Sequence, residues 1–260
     1  MYTLYKQSAF KHTSFLEALL EIPNIPEQLY VLGDLPTITE HTKVLTVVGS
    51  RKYTSYGKEV CQKLIAGLAG TDTIIVSGLA LGIDGIAHKA ALDAGLRTIA
   101  VMPCGLSGSV IYPRAHAGLA REIVERGGAL VSEYEPDYKS QIYTFPARNR
   151  IAVGLCRAVL VIEAEEKSGT LITSRLATDY NRDVFAVPGS IFATGSAGPH
   201  MLIKLGATPI TCTNDLREAL GLVDNRDSTE QSELPLDIGD VEKKLLDMLY
   251  EPKSKDVLLA

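Results

Sequence analysis

From about residue 43 to residue 211, short apolar, β-branched runs alternate with stretches whose apolar residues recur at helical spacing. The runs are five residues within Lys43–Arg51, then Thr73–Ser77, Arg97–Met102, Ala129–Ser132, Arg157–Glu163 and Asp183–Val187, with a last short one at Ala207–Thr211. Each is brief and bounded by turn residues, as buried parallel strands are. Helices are expected over Ser55–Leu68, where Val60, Leu64, Ile65 and Leu68 share a face, and over Ile86–Leu92, Ala117–Glu125, Ala147–Cys156, Leu171–Tyr180, His200–Leu205 and Asp215–Leu222. Pro113 suits the lead-in to the third of these. Six or seven strand–helix alternations predict an α/β fold, a doubly wound, mostly parallel sheet covered on both faces.

The flanks break the pattern. Residues 1–40 carry Pro23, Pro26, Gly33 and Pro36, with a short helix expected over Ser14–Glu21 and a small strand over Leu29–Leu32. They read as a lead-in packed on a main domain spanning 41–223. Residues 224–238 are acidic and rich in Ser, as linkers are. Residues 239–260 hold one amphipathic helix, with Val241, Leu245, Leu246 and Leu249, and the start of another, too little to bury a core alone.

Charge changes this picture. The net charge of −5 would argue against a polyanion ligand, but residues 1–40 sum to −3 and 224–260 to −5, leaving the central region at +3. A basic groove there is compatible with an acidic chain. Cys61, Cys104, Cys156 and Cys212 lie far apart, so neither a metal site nor a disulfide framework is expected. No apolar run spans a membrane and the first residues do not resemble a signal peptide; the expectation is a reduced, cytoplasmic protein.

Candidate chemistry collects where strands end. Ligands of doubly wound sheets sit beyond the carboxyl ends of the strands. The turns predicted there are Gly49-Ser50-Arg51, Ser77-Gly78-Leu79-Ala80-Leu81-Gly82, Lys167-Ser168-Gly169-Thr170 and Pro188-Gly189. Glycines let backbone N–H groups approach a ligand, and a helix N-terminus favours an anion. The stretch Ile74–His88 combines both features, although a tight strand-to-helix turn would look the same. His88 and Asp84 are read as holding that loop in shape. The chain has no Walker-type phosphate loop and no dinucleotide fingerprint.

In order along the chain stand VVGSR at 47–51, SGLALGID at 77–84 with IAH at 86–88, IYP at 111–113, LVSEY at 130–134, FPARNRIA at 145–152, EAEEKSGTLITSRLA at 163–177, RDVFAVPGS at 182–190 and MLIKLGA at 201–207. This series, over roughly residues 30–222, resembles the DprA (Smf) family of DNA-processing proteins of bacterial natural transformation. The resemblance implies an extended Rossmann-like domain that binds single-stranded DNA, passes it to the recombinase RecA, works as a homodimer and performs no catalytic turnover. It implies no cofactor. It also makes residues 239–260 look like the opening of a winged-helix-like domain, and sets the dimer face among residues 190–220. His200 stands where relatives usually carry Asn, and Ser174-Arg175 also departs from the common pattern.

On this reading Ser50, Arg51 and Arg114 contact the DNA backbone, and Lys167, Ser168, Gly169 and Thr170 hold one phosphate at a helix N-terminus. Gly78 and Gly82 open their loop to the ligand. Of Arg148, Asn149 and Arg150, which point in different directions from one helix, some touch DNA, while at least one arginine is expected to pair within the protein, with Glu163 or Asp84 as candidates. Phe145 either stacks on a base or packs under its loop. The alternative is a protein of a related Rossmann-like family that binds or hydrolyses a small phosphorylated nucleotide. Against hydrolysis, no acidic residue closely follows Gly169-Thr170.

Overall fold

The computed structural model describes residues 2–166 and 168–222. Lys167, the acidic stretch 224–238 and the segment 239–260 lie outside the described residues, and the expectations placed on them rest on sequence alone.

The elements run β1 (Thr3–Lys6), α1 (Ser14–Glu17), β2 (Gln28–Gly33), β3 (Lys43–Val48), α2 (Ser55–Ala66), β4 (Thr73–Ser77), α3 (Ile83–Asp93), β5 (Arg97–Val101), α4 (Ala117–Glu125) and β6 (Ala129–Ser132). Then follow α5 (Thr144–Gly154), β7 (Ala158–Val161), α6 (Gly169–Asp179), β8 (Asp183–Ala186), α7 (Ala197–Lys204), β9 (Thr208–Pro209) and α8 (Thr213–Ala219). One nine-stranded sheet has the order β1-β2-β6-β5-β4-β3-β7-β8-β9. The seven strands from β6 to β9 are parallel, while β1 and β2 are antiparallel additions at one edge. The α/β class and the mostly parallel sheet are as the alternation predicts.

Every residue of β4 and of β7 is buried, which is why both read as continuous apolar runs rather than alternating ones. Alternate residues feed opposite layers. Leu45, Val47 and Ile75 meet Cys61, Leu64 and Ile65 of α2 and Ala87 and Ala91 of α3. Val44, Ile74 and Val76 share the other layer with Ile151 and Val153 of α5. Burial pushes the Cys61 thiol up to about 12, so it behaves as a small apolar side chain.

The N-terminal segment packs into one layer of the core. Phe10, Phe15, Leu16 and Leu19 are fully buried in the same layer as α5. Arg182 fixes them from below: its guanidinium is 2.7 Å from Glu21 and also faces the carbonyls of Ala18 and Gly154. The predicted Leu29–Leu32 strand pairs through Tyr30–Gly33 with β6, and Thr3–Lys6 then pairs with it.

Candidate functional site

From β3 the chain adds strands outward through β4, β5 and β6, then returns to the other side of β3 and continues through β7, β8 and β9. The reversal lies between β3 and β7, and loops leaving the two strands part there to form a crevice. A cleft of about 490 Å³ occupies this position. One lip is Gly49-Ser50-Arg51-Lys52, the floor includes Asp84 and Arg148, and the opposite wall is the first turns of α6.

The lip is held by a short turn: Ser50 Oγ donates to Lys52 O at 2.8 Å and accepts from Lys52 N at 3.0 Å. Thr54 then caps α2, its Oγ1 accepting from Gly57 N at 3.1 Å. Glu163, just past β7, accepts hydrogen bonds from both the backbone N–H and the hydroxyl of Thr54. The beginning of α2 is thereby tied to the strand across the crevice. Arg51 and Lys52 are exposed, and the Arg51 guanidinium carbon lies 5.3 Å from the Phe145 ring centre. Tyr112 meets the same ring edge-on with centres 5.6 Å apart. Phe145 therefore lines the cleft as part of an aromatic and cationic cluster.

Arg148 is buried beneath this cluster. Its Nη1 donates to Gly78 O at 2.6 Å and to Val101 O at 2.5 Å, joining the ends of β4 and β5. Asp84 lies alongside and accepts from Ala80 N at 3.4 Å. Burial pushes the Asp84 carboxyl up and the Arg148 guanidinium down, and their mutual attraction opposes both shifts. Arg150 points elsewhere, to Asn24 O at 2.6 Å and to the Glu133 carboxylate. So both arginines of the triplet are engaged within the protein, Arg148 by backbone carbonyls near the Asp84 charge and Arg150 by an ion pair with Glu133; Glu163 serves Thr54 instead.

The glycines divide into two kinds. Gly78 has no room for a Cβ, which would overlap the Arg148 guanidinium. Gly82 has φ +86° and packs against the backbone of Ser50 and Arg51, while Ile83 N donates to Ser50 O at 3.2 Å. Gly82 thus brings the β3 and β4 loops together and Gly78 makes room for Arg148, and neither lines the cleft. Gly169 differs: a Cβ there would meet nothing within 4 Å. It opens α6 behind Ser168, whose Oγ accepts from Thr170 N at 3.1 Å, and all three residues face the cleft.

The predicted Ser50, Arg51, Phe145, Arg148, Asn149, Ser168, Gly169 and Thr170 thus share one cleft. Arg114 does not join them; its guanidinium lies 3.3 Å from Gly108 O and Ser109 O, beside a separate apolar groove formed with α4 and β6. Sequence reasoning passed over Lys52, Glu165 and Thr173 as lining residues. Lys52 was the most accessible of these, since it adjoins Arg51. His88 ties α3 to the strands rather than to the glycine loop: Thr98 Oγ1 donates to Ile75 O at 2.8 Å, so its lone pair accepts from His88 Nδ1 at 2.7 Å.

A family profile described as DNA recombination-mediator protein A matches residues 6–221. The chain belongs to that family. Among its relatives, protein Smf of Escherichia coli is 46% identical over 202 residues, 78% of this chain and 53% of that protein. DNA processing protein DprA of Streptococcus pneumoniae is 44% identical over 198 residues, covering 76% of this chain and 68% of the relative. The match thus spans about half the length of the E. coli protein. In three dimensions the chain is similar to DprA from Streptococcus pneumoniae, with a TM-score of 0.75, 39% identity and coverage of 84% of this chain and 74% of the other. It is also similar to DNA processing protein A from Helicobacter pylori, whose structure is described by its single-stranded DNA binding mode; the TM-score is 0.71 at 30% identity, covering 85% of this chain and 95% of that one.

Proposed function

We propose that this chain binds single-stranded DNA in the cleft between β3 and β7 and acts as a non-catalytic mediator that passes the strand to a RecA-type recombinase. The observation that carries the reading is the composition of the cleft. Exposed Arg51 and Lys52 face the first turn of α6 across a gap beside Phe145. Cations and a helix N-terminus suit the phosphate backbone, and an aromatic face accepts any base. The single-stranded DNA of the Helicobacter pylori relative supports the same ligand here. Arg148 and Asp84 would shape the floor rather than grip the strand, with Ser50, Asn149, Ser168 and Thr170 as polar contacts. Lys167 belongs to this set by sequence position alone. The reading extends to a homodimer, whose paired clefts would raise avidity along one strand, and to a cytoplasmic setting.

Fluorescence anisotropy with a labelled single strand and its duplex, over a salt series, tests the proposal. The expected result is preference for the single strand, with an affinity that falls with salt at a slope of roughly −0.7 per phosphate neutralised. Arg51→Ala should weaken binding by roughly tenfold or more, with a shallower slope. Equal affinity for the duplex, or no response to Arg51→Ala, would rule the cleft out.

A further inference from the structure

Two groups of tyrosines lie on segments continuous with the cleft, one leading to Phe145 and one following Lys52, and charge distinguishes them. In the first, the loop after β6 carries Tyr134 stacked on Tyr138 with centres 4.7 Å apart, and Tyr138 hydrogen-bonds Tyr143. That loop also holds Glu135 and Asp137 against a single cation, Lys139, besides Glu133, which Arg150 engages. Phosphates approaching it meet like charge. In the second, residues 51–58 read Arg-Lys-Tyr-Thr-Ser-Tyr-Gly-Lys, with three cations and no carboxylate. The segment leads directly from Arg51 and Lys52, which line the cleft, into α2. Tyr53 and Tyr56 are 45% and 47% exposed. The Tyr56 hydroxyl donates to Pro188 O at 2.6 Å, which fixes the ring before any ligand arrives. The nearby carboxylate of Glu163 is already engaged by Thr54.

We propose that Tyr53 and Tyr56, flanked by Lys52 and Lys58, form a second base-stacking platform, so that a bound single strand leaves the cleft across the start of α2 toward the loop after β8. The inference rests on the single-strand reading of the cleft and adds the strand's direction of travel. The loop it would reach presents Phe192, 92% exposed, one strand further along the same edge of the sheet. Cations interleaved with aromatic rings serve a strand that must be held without regard to sequence.

The test uses the full chain and oligothymidylates of ~4 and ~16 nucleotides, lengths that bracket a single compact site. The Tyr53→Leu/Tyr56→Leu double variant should bind the short strand within twofold of the unaltered protein and the long strand roughly tenfold more weakly. Tyr56→Phe keeps the ring but not its bond to Pro188, and should lose clearly less long-strand affinity than the double variant. Photocrosslinking with 5-iodouracil placed along the ~16-nucleotide strand should give adducts at Tyr53 or Tyr56. Adducts confined to Tyr134, Tyr138 or Tyr143, or an equal loss for both lengths, would overturn the platform while leaving the cleft standing. Failure of the unaltered protein to bind either strand would overturn the cleft reading and the platform with it.

Discussion

Arg148 and Arg150 sit two positions apart in one motif and do different things. Arg148 supplies hydrogen bonds to two strand-end carbonyls and faces a buried carboxylate, whereas Arg150 pairs with Glu133 nearer the surface. Removing a buried cation strands its partners, so Arg148→Met should cost about 3 kcal/mol of stability or more in urea denaturation. Arg150→Met should cost about 1 kcal/mol, because that pair is partly solvated. Similar losses in the two variants would contradict this division. The sequence led to the expectation that some arginine here would pair internally, with Glu163 or Asp84 as candidates; the ion pair formed is between Arg150 and Glu133. Which one did was not legible, because a charged residue occupies an inward position of α5 and blurs its apolar stripe. Gly78 was misread for a related reason: a glycine that clears space for a guanidinium looks the same in sequence as one that clears space for a phosphate.

At the scale of elements, α6 offers a clean separation of binding from folding. Gly169 opens that helix into empty space, so the protein itself tolerates a methyl group there. Gly169→Ala should leave the thermal midpoint unchanged or slightly raised, since alanine reduces the freedom of the unfolded chain. The same variant should weaken single-strand binding several-fold if a phosphate packs against the helix start. A fall in both would show that the glycine is needed by the fold. The strand–helix alternation made α2 to α8 readable to within a few residues, and β3 to β8 likewise. The N-terminal strands were harder. Thr3–Lys6 is mostly exposed and has no period of its own, and only its antiparallel pairing with Tyr30 and its neighbours makes it a strand. Local sequence does not contain that information.

For the whole molecule, pH acts through the buried centre. Burial, reinforced by His116 and Arg148, pushes His88 down to about 3, and its Nε2 has no hydrogen-bond partner among the described residues. In the unfolded chain a histidine titrates near 6.5. Between these values the unfolded state binds the extra proton, so stability rises with pH and is lost as pH falls from about 6.5 toward 3. His88 alone contributes a slope of up to ~1.4 kcal/mol per pH unit in that window. Urea titrations between pH 4 and 7 should show this slope, and His88→Gln should flatten it. An unchanged slope in the variant would assign the effect to other groups. The overall architecture was legible because buried parallel strands and their helices have strong periods. Strand order was not, yet the rule that ligands sit past strand carboxyl ends brought most of the cleft together before the order was known.

The reversal of strand order between β3 and β7 also has a mechanical side. The cleft hangs from the ends of two strands in the middle of the sheet, each hydrogen-bonded to neighbours on both sides. Tension on a seated strand would pull β3 and β7 lengthwise, so that a whole row of hydrogen bonds bears the load together. A site hung from an edge strand would let those bonds peel away one after another.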